Sequence, residues 1–214
     1  MEKTPVQLRN EKLGAKVVQA LEKRFFEAYY ADTAAQGVAK ALSLIPVGHS
    51  VSWGGSVTLQ EIGLLEQLRQ RDFQILDRDK AATPQQRMEI MRQALLCDTF
   101  ITSTNAITED GQLVNIDGNG NRVAAMTFGA QNVIVVAGIN KVVKTVQDGL
   151  VRAQTIAAPQ NVQRFPGTKT PCYATGACED CKSSDCICAY LVTTRICRPA
   201  KKIKVILVGE PLGY

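Results

Sequence analysis

Six of the seven cysteines lie between positions 172 and 197, spaced Cys172-x5-Cys178-x2-Cys181-x4-Cys186-x-Cys188-x8-Cys197; Cys97 stands alone. No other stretch constrains the fold as strongly. Between Cys172 and Cys186 there are few large apolar residues, so the segment cannot build a core of its own. A metal bound by thiolates would order it, because metal-binding free energy becomes folding free energy. Cys178 and Cys181 form a CxxC pair, which presents two thiolates to one centre from a single tight turn. All-sulfur ligation suits an iron–sulfur cluster or Zn2+. The sole histidine, His49, is remote in sequence, which argues against a mixed Cys/His zinc site. Structural zinc more often shows two CxxC knuckles, and here there is one. Cys172, Cys178, Cys181 and Cys188 compactly surround one centre. Cys186 and Cys197 are extra: alternates for one of the four, or nearby reactive thiols. The spacing favours a 4Fe-4S cluster, with zinc and metal-free redox cysteines as the alternatives. Cys97 ends a helix in apolar surroundings and reads as a buried, inert thiol.

The rest of the chain of 214 residues, 45% hydrophobic and 21% charged, is ordinary for a globular protein. The start, Met1 to Pro5, lacks the apolar region of a signal peptide, and no apolar stretch nears the ~18 residues of a membrane span. The expected location is cytoplasmic, where the cysteines are not a disulfide framework. The net charge is +5. Much of it is local, at Arg195, Arg198, Lys201, Lys202 and Lys204. Such a cluster is ordinarily a solvated face, and with aromatics at 6% and one Trp, nucleic-acid binding is disfavoured. Adjacency in sequence suggests that these cations offset the negative charge of a thiolate-bound cluster.

Strand-like and helix-like segments alternate. Residues 11–31 read as one amphipathic helix with Leu13, Val17, Leu21 and Ala28 on a face, and a second helix runs to Leu44, so 1–45 is an N-terminal helical segment. Strands are expected at 49–53, 72–76, 99–103, 133–137 and 203–208, and helices at 58–69, 83–97 and 141–157. Residues 107–116 form a hairpin about Glu109-Asp110-Gly111. The run 133–137 is apolar throughout, as in a strand buried on both faces. The class is therefore α/β: a mostly parallel sheet with helices on both faces, a β-hairpin insertion, and a Cys-rich excursion at 165–198. One domain over 1–214 accommodates all of it.

Two segments carry candidate chemistry. Trp53-Gly54-Gly55-Ser56-Val57-Thr58 is strand, glycine turn and helix start, where exposed N–H groups and the Ser56 and Thr58 hydroxyls suit an anion; the plainer reading is a Thr58–Glu61 capping box. Thr102 to Asn105 follows a strand end, where α/β folds place ligands. Asn105, Asn115, Asp117, Asn121 and Arg122 come close together there, and Arg122 and Lys141 are cations for a carboxylate or phosphate. With one histidine, no Ser-His-Asp or Cys-His nucleophile can be assembled.

The segments 54–63, 104–111, 115–124, 133–141 and 208–214 together resemble the LUD (lactate-utilisation) domain family across essentially the whole chain. The resemblance implies a fold like that of ribose-5-phosphate isomerase and the CoA-transferases, and a link to iron–sulfur systems that oxidise lactate. Similar stand-alone members carry Cys-x5-Cys-x2-Cys-x6-Cys, which lands on Cys172, Cys178, Cys181 and Cys188. The leading reading is an iron–sulfur protein of this type whose cluster sits beside a small-anion pocket (for an organic acid or a phosphate-bearing cofactor) built from Gly54, Gly55, Ser56, Thr58, Asn105, Asn115, Asp117, Asn121, Arg122 and Lys141. If the chain is an enzyme, it is then an iron–sulfur-dependent oxidoreductase or a component of one, with a redox protein or a second copy of itself as partner. A rival reading is a transferase or isomerase with structural zinc, using Glu61 or Glu109 as base or nucleophile. A third is a non-catalytic redox sensor.

Overall fold

The apolar run Asn132–Gly138 is fully buried and lies inside a six-stranded, wholly parallel sheet. The computed structural model describes residues 2–214. The chain runs α1 (Pro5–Glu22), β1 (Glu27–Ala31), α2 (Ala34–Ser43), β2 (Ser50–Trp53), α3 (Val57–Glu61), α4 (Leu64–Arg69), β3 (Gln74–Leu76) and α5 (Pro84–Gln93). It continues through β4 (Thr99–Thr102), β5 (Ala106–Thr108), β6 (Leu113–Asp117), α6 (Asn121–Ala124), β7 (Asn132–Gly138) and β8 (Val142–Val143). It ends with α7 (Val146–Arg152), α8 (Ala158–Val162), α9 (Pro171–Thr175), β9 (Tyr190–Thr194) and β10 (Ile203–Val208).

The sheet order is β1-β10-β7-β4-β2-β3. Period-two alternation sorts its side chains onto two cores. Val133, Val135, Ala137, Val205 and Leu207 meet Val17 and Leu21 of α1 on one face. Ile134, Val136, Ile206 and Val208 meet α2, α3 and α4 on the other. A second, mixed sheet has the order β8-β5-β6-β9. No helix among the described residues is long and apolar enough to cross a membrane.

Several elements depart from the sequence expectation. The helix over 11–31 stops at Glu22, and Glu27–Ala31 is instead the edge strand β1, paired with β10. The reversal is made by Phe25 in a left-handed conformation, φ 65°, without a Gly or Pro to announce it. The segment 1–45 is therefore not purely helical. The helix at 58–69 is two short helices, and the helix at 141–157 begins only at Val146, because Val142–Val143 pairs with β5. Within the Cys-rich excursion, Tyr190–Thr194 forms β9 against β6.

The hairpin is present as β5 and β6, and its turn takes positive φ at Gly111, +87°. A Cβ there would sit 2.5 Å from the Ala20 carbonyl carbon. Gly111→Ala therefore combines an unfavourable φ with a clash against helix backbone. It should cost about 2–3 kcal/mol, read from urea denaturation. An unchanged midpoint would show that the hairpin does not seat on α1.

Candidate functional site

In the parallel sheet, β2 leads outward to β3 while β4 leads the other way to β7, so the chain reverses direction between β2 and β4. Loops at the carboxyl ends of strands part at such a point and leave a crevice. A cavity of about 240 Å³ opens there, smaller than the roughly 300 Å³ at which drug-sized pockets begin, so its occupant is small. The turn after β2 (Gly55, Ser56, Thr58), the loop after β4 (Ser103, Asn105) and the end of β6 line it. Ala153 and Ala157, on a π-helical turn between α7 and α8, form the far wall.

The glycine turn is shaped by a neighbouring cation. A Cβ on Gly55 would fall 2.3 Å from Arg78 Nη2, so only a glycine lets that guanidinium lie on the turn. Ser56 caps α3, accepting from Leu59 N at 3.3 Å. The Thr58–Glu61 capping box is not formed: Glu61 Oε2 instead accepts from Gly213 N at 2.7 Å. The Thr58 hydroxyl is turned to Lys141, whose Nζ donates to it at 2.9 Å and to Ser103 Oγ at 3.1 Å.

The cavity is strongly cationic. Arg78, Arg87, Arg122, Lys141 and Arg164 line it, against a single side-chain carboxylate, Asp117. That carboxylate is spent on the backbone. Oδ1 accepts from Asn119 N at 3.2 Å and Gly120 N at 3.0 Å, and Oδ2 from Arg122 N and Val123 N at 3.1 Å. Arg122 is spent as well. It donates to Ser103 O, Asn115 Oδ1, Asn105 Oδ1 and Ile116 O, and burial pulls its pKa down against the pull of Asp117. Arg122 thus braces the wall rather than offering free donors. Asn115 stands behind it, buried and outside the cavity lining. Asn121 lines the cavity; Gly54 does not, because Arg122 and Thr102 lie over it.

Two cations keep unused capacity. Arg78 Nε has no hydrogen-bond partner although it is buried, and its nearest carboxylate oxygen is Asp79 Oδ1 at 3.9 Å. Burial, aided by Arg87, lowers its pKa. Lys141 is 4% exposed. Burial lowers its pKa from 10.5 to about 7, with Arg152 and Arg122 adding to the fall and Glu61 opposing it. Sequence reasoning missed Arg78, Arg87 and Arg164. Only the position of Arg78, just after the end of β3, hinted at a role.

Five cysteines gather beside this cavity. The Cys186 thiol feels those of Cys181 and Cys188, and Cys188 also feels Cys178 and Cys172. Burial pushes the Cys188 thiol up to about 12. Cys188 N donates to Cys186 Sγ at 3.4 Å. Cys172 is buried and its four neighbours are half-buried. The donor set is all sulfur, the chemistry that soft metals and iron–sulfur clusters take. Among the described residues no group of three or more His, Cys, Asp or Glu is placed to hold a metal ion, so the fit rests on the chemistry of the donor set and not on its spacing. Ile187, between Cys186 and Cys188, lines the cavity, and a Cβ on Gly118 would stand 3.2 Å from its Cα. The segment that carries Cys186 and Cys188 therefore forms part of the cavity wall through Ile187.

Several expected site residues are elsewhere. Cys197 sits 2% exposed in the core beneath α1, with its sulfur donating to Pro199 O and accepting from Ile203 N, both at 3.3 Å. Strand β9 carries it away from the other thiols, so it is no alternate ligand. The cations at 195–204 go with it: Lys202 is buried and donates to Thr127 O, and Lys204 stands 3.9 Å from Glu27. Neither of these two pairs with a thiol of the 172–188 segment. Glu109 is paired with Lys16 and Lys144 outside the cavity, and these two cations hold its pKa down. Glu61 does not line the cavity either. Cys97 is buried and inert, its thiol raised to about 11 by burial. His49 bonds Thr99 Oγ1 at 2.9 Å, at the other end of the sheet.

The LUD domain family model matches residues 14–208. Among solved structures, the chain is similar to a DUF162 family protein from Deinococcus radiodurans at 11% identity and TM-score 0.54, covering 93% of this chain and 98% of that one. Ribose 5-phosphate isomerase A from Neisseria gonorrhoeae gives TM-score 0.35 at 13% identity over 54% of this chain and 56% of the other. eIF2B delta from Chaetomium thermophilum gives 0.34 at 17% over 65% and 54%. No curated protein matches.

Proposed function

Because this chain belongs to the LUD domain family, we propose that it is an iron–sulfur protein that binds a small organic or phosphate-bearing anion next to its cluster. The observation that carries this reading is the shared wall: Ile187, flanked by Cys186 and Cys188, lines the same cavity as Arg78 and Lys141. Cys172, Cys178, Cys181 and Cys188 would hold a 4Fe-4S cluster, with Cys186 as the spare thiol. When bound, the cluster supplies one-electron transfer or a Lewis-acidic iron.

The residues of the chain do the rest. Arg78, whose guanidinium lines the cavity against Gly55, offers the charge-assisted contact that an anion requires. Gly55 gives it room, and the Ser56 and Thr58 hydroxyls border the same space. The fixed Arg122–Asp117 brace keeps the 115–123 wall rigid, so little ordering is left to do on binding. A redox protein would meet the centre at the exposed 177–185 rim.

Anaerobic reconstitution with iron and sulfide should give a broad visible charge-transfer band with matching iron and sulfide. Serine at Cys172, Cys178, Cys181 or Cys188 should abolish it, and Cys197→Ser should not. In the same preparation Arg78→Gln should weaken binding of inorganic phosphate or oxalate by at least about tenfold, as expected for a lost charged contact. Stoichiometric zinc in colourless protein would replace the cluster by a structural metal, and unaltered anion binding in the Arg78 variant would remove the cavity from the reading.

A further inference from the structure

Lys141 is unlike an ordinary anion-binding lysine. Its Nζ contacts two hydroxyls, Thr58 Oγ1 at 2.9 Å and Ser103 Oγ at 3.1 Å, and no carboxylate among the described residues. Those hydroxyls direct their own protons away, toward Leu212 O at 3.4 Å and Thr104 O at 3.5 Å, so each presents a lone pair to the lysine. An ammonium group carries three N–H donors, and the two hydroxyls take only two of them. A neutral amine carries two N–H donors and one lone pair. Two acceptors match it and leave the lone pair free, in a residue that lines the cavity.

We propose that Lys141 is a nucleophile that captures a small aldehyde or ketone bearing a carboxylate or phosphate as an imine, with Arg78 holding the anionic group. This inference rests on the anion-binding reading of the cavity and names what that anion also carries. The amine lone pair forms a C–N bond to the carbonyl carbon and gives a carbinolamine. Both amine hydrogens then leave with the carbonyl oxygen as water, and a C=N bond remains. No electrons are gained or lost. The Ser103 and Thr58 hydroxyls, already hydrogen-bonded to Nζ, are placed to pass the protons. The groups around the amine act together: Arg122 on α6 and Arg152 on α7 disfavour its protonation, and Glu61 on α3 is the one charge that favours it. A lysine desolvated beside other cations is the recognised setting for an amine nucleophile near neutral pH.

The test uses the anaerobically isolated protein near pH 7, where exposed lysines are protonated. It is incubated with pyruvate, glyceraldehyde 3-phosphate or acetone in the presence of cyanoborohydride, then digested and mapped by mass spectrometry. Lys141 should carry the reduced adduct at least about tenfold above any other lysine, as the shift of its pKa implies. The label should be lost in Lys141→Arg, which keeps a long basic side chain but has no primary amine, and in Lys141→Met. Arg78→Gln should slow labelling by the two anionic compounds and leave acetone unchanged. Faster labelling by pyruvate marks the carboxylate as the partner of Arg78, and faster labelling by the phosphate ester marks phosphate. Labelling spread over other lysines with Lys141 unmodified overturns the proposal. Equilibrium titration of the same anions without reductant separates the two failures: binding without adduct removes only the nucleophile, whereas no binding removes the anion site as well.

Discussion

Asp117→Ala will destabilise the protein by about 4 kcal/mol and loosen the cavity wall. The carboxylate is buried and accepts from four backbone N–H groups, those of Asn119, Gly120, Arg122 and Val123. Each bond to a charged acceptor is worth about 1.5–3 kcal/mol, and they are not additive, because once the loop relaxes the remaining N–H groups find water. The second loss is Coulombic. Asp117 Oδ2 stands 3.8 Å from Arg122 Nε, and removing one member of a buried pair leaves the other charge uncompensated, at about 3–5 kcal/mol. Arg122 cannot escape to solvent, since its donors tie together the loop after β4 and the end of β6. Asp117→Asn keeps one acceptor oxygen but turns an amide group toward N–H donors, so it should show about half the effect. Urea denaturation of both variants provides the measurement. A loss under about 1 kcal/mol in the alanine variant would mean that the loop is held by its glycine and asparagine turns alone.

That network shows what the sequence could and could not reveal. The cluster of Asn and Asp at 115–121 has a composition that turns alone can account for. The structure gives them different work: Asp117 gathers backbone donors, Asn105 and Asn115 hold Arg122, and Asn121 faces the cavity. Spacing cannot separate these roles, because they depend on which atoms a strand pairing brings within 3 Å. The parallel sheet was legible where burial forces a pattern, as in the continuous apolar run of β7 and the β-branched run of β10. Edge strands were not. The sequence Glu27–Ala31 continues the apolar spacing of α1, so its face reads as helix until Phe25 breaks the chain with a left-handed turn that no glycine marks. Its pair of adjacent tyrosines was the available signal. Strand β9 hid inside the cysteine segment, although Tyr190–Thr194 carries the β-branched and aromatic residues of a strand. Adjacency in sequence misled in that region: β9 is extended, at about 3.3 Å per residue, so it carries Cys197 and the basic residues that follow to the opposite end of the second sheet from Cys188.

Lys141→Met should make the protein more stable at neutral pH, with a gain that vanishes toward pH 10.5. The lysine is 4% exposed, and its pKa falls from 10.5 to about 7, first because burial penalises the charged form and then because Arg152 and Arg122 repel it. Between those two values the unfolded chain binds a proton that the folded chain does not. Stability therefore rises with pH across that interval, and below about pH 7 the full penalty persists. The penalty amounts to at most about 5 kcal/mol, less what local water penetration relieves. Methionine has similar length and no charge, and the Thr58 and Ser103 hydroxyls keep their own acceptors, so the variant removes the titration without leaving an orphaned donor. Cysteines and tyrosines also titrate in this range, so the informative quantity is the difference between the two proteins, measured by urea denaturation at pH 7 and pH 9. That difference should shrink by about 2–3 kcal/mol on going to the higher pH. A difference that stays constant would show that Lys141 is charged in the folded protein at pH 7. It would then be an anion-binding cation with a third N–H pointing into the cavity, and the lone pair needed for attack on a carbonyl would not be available.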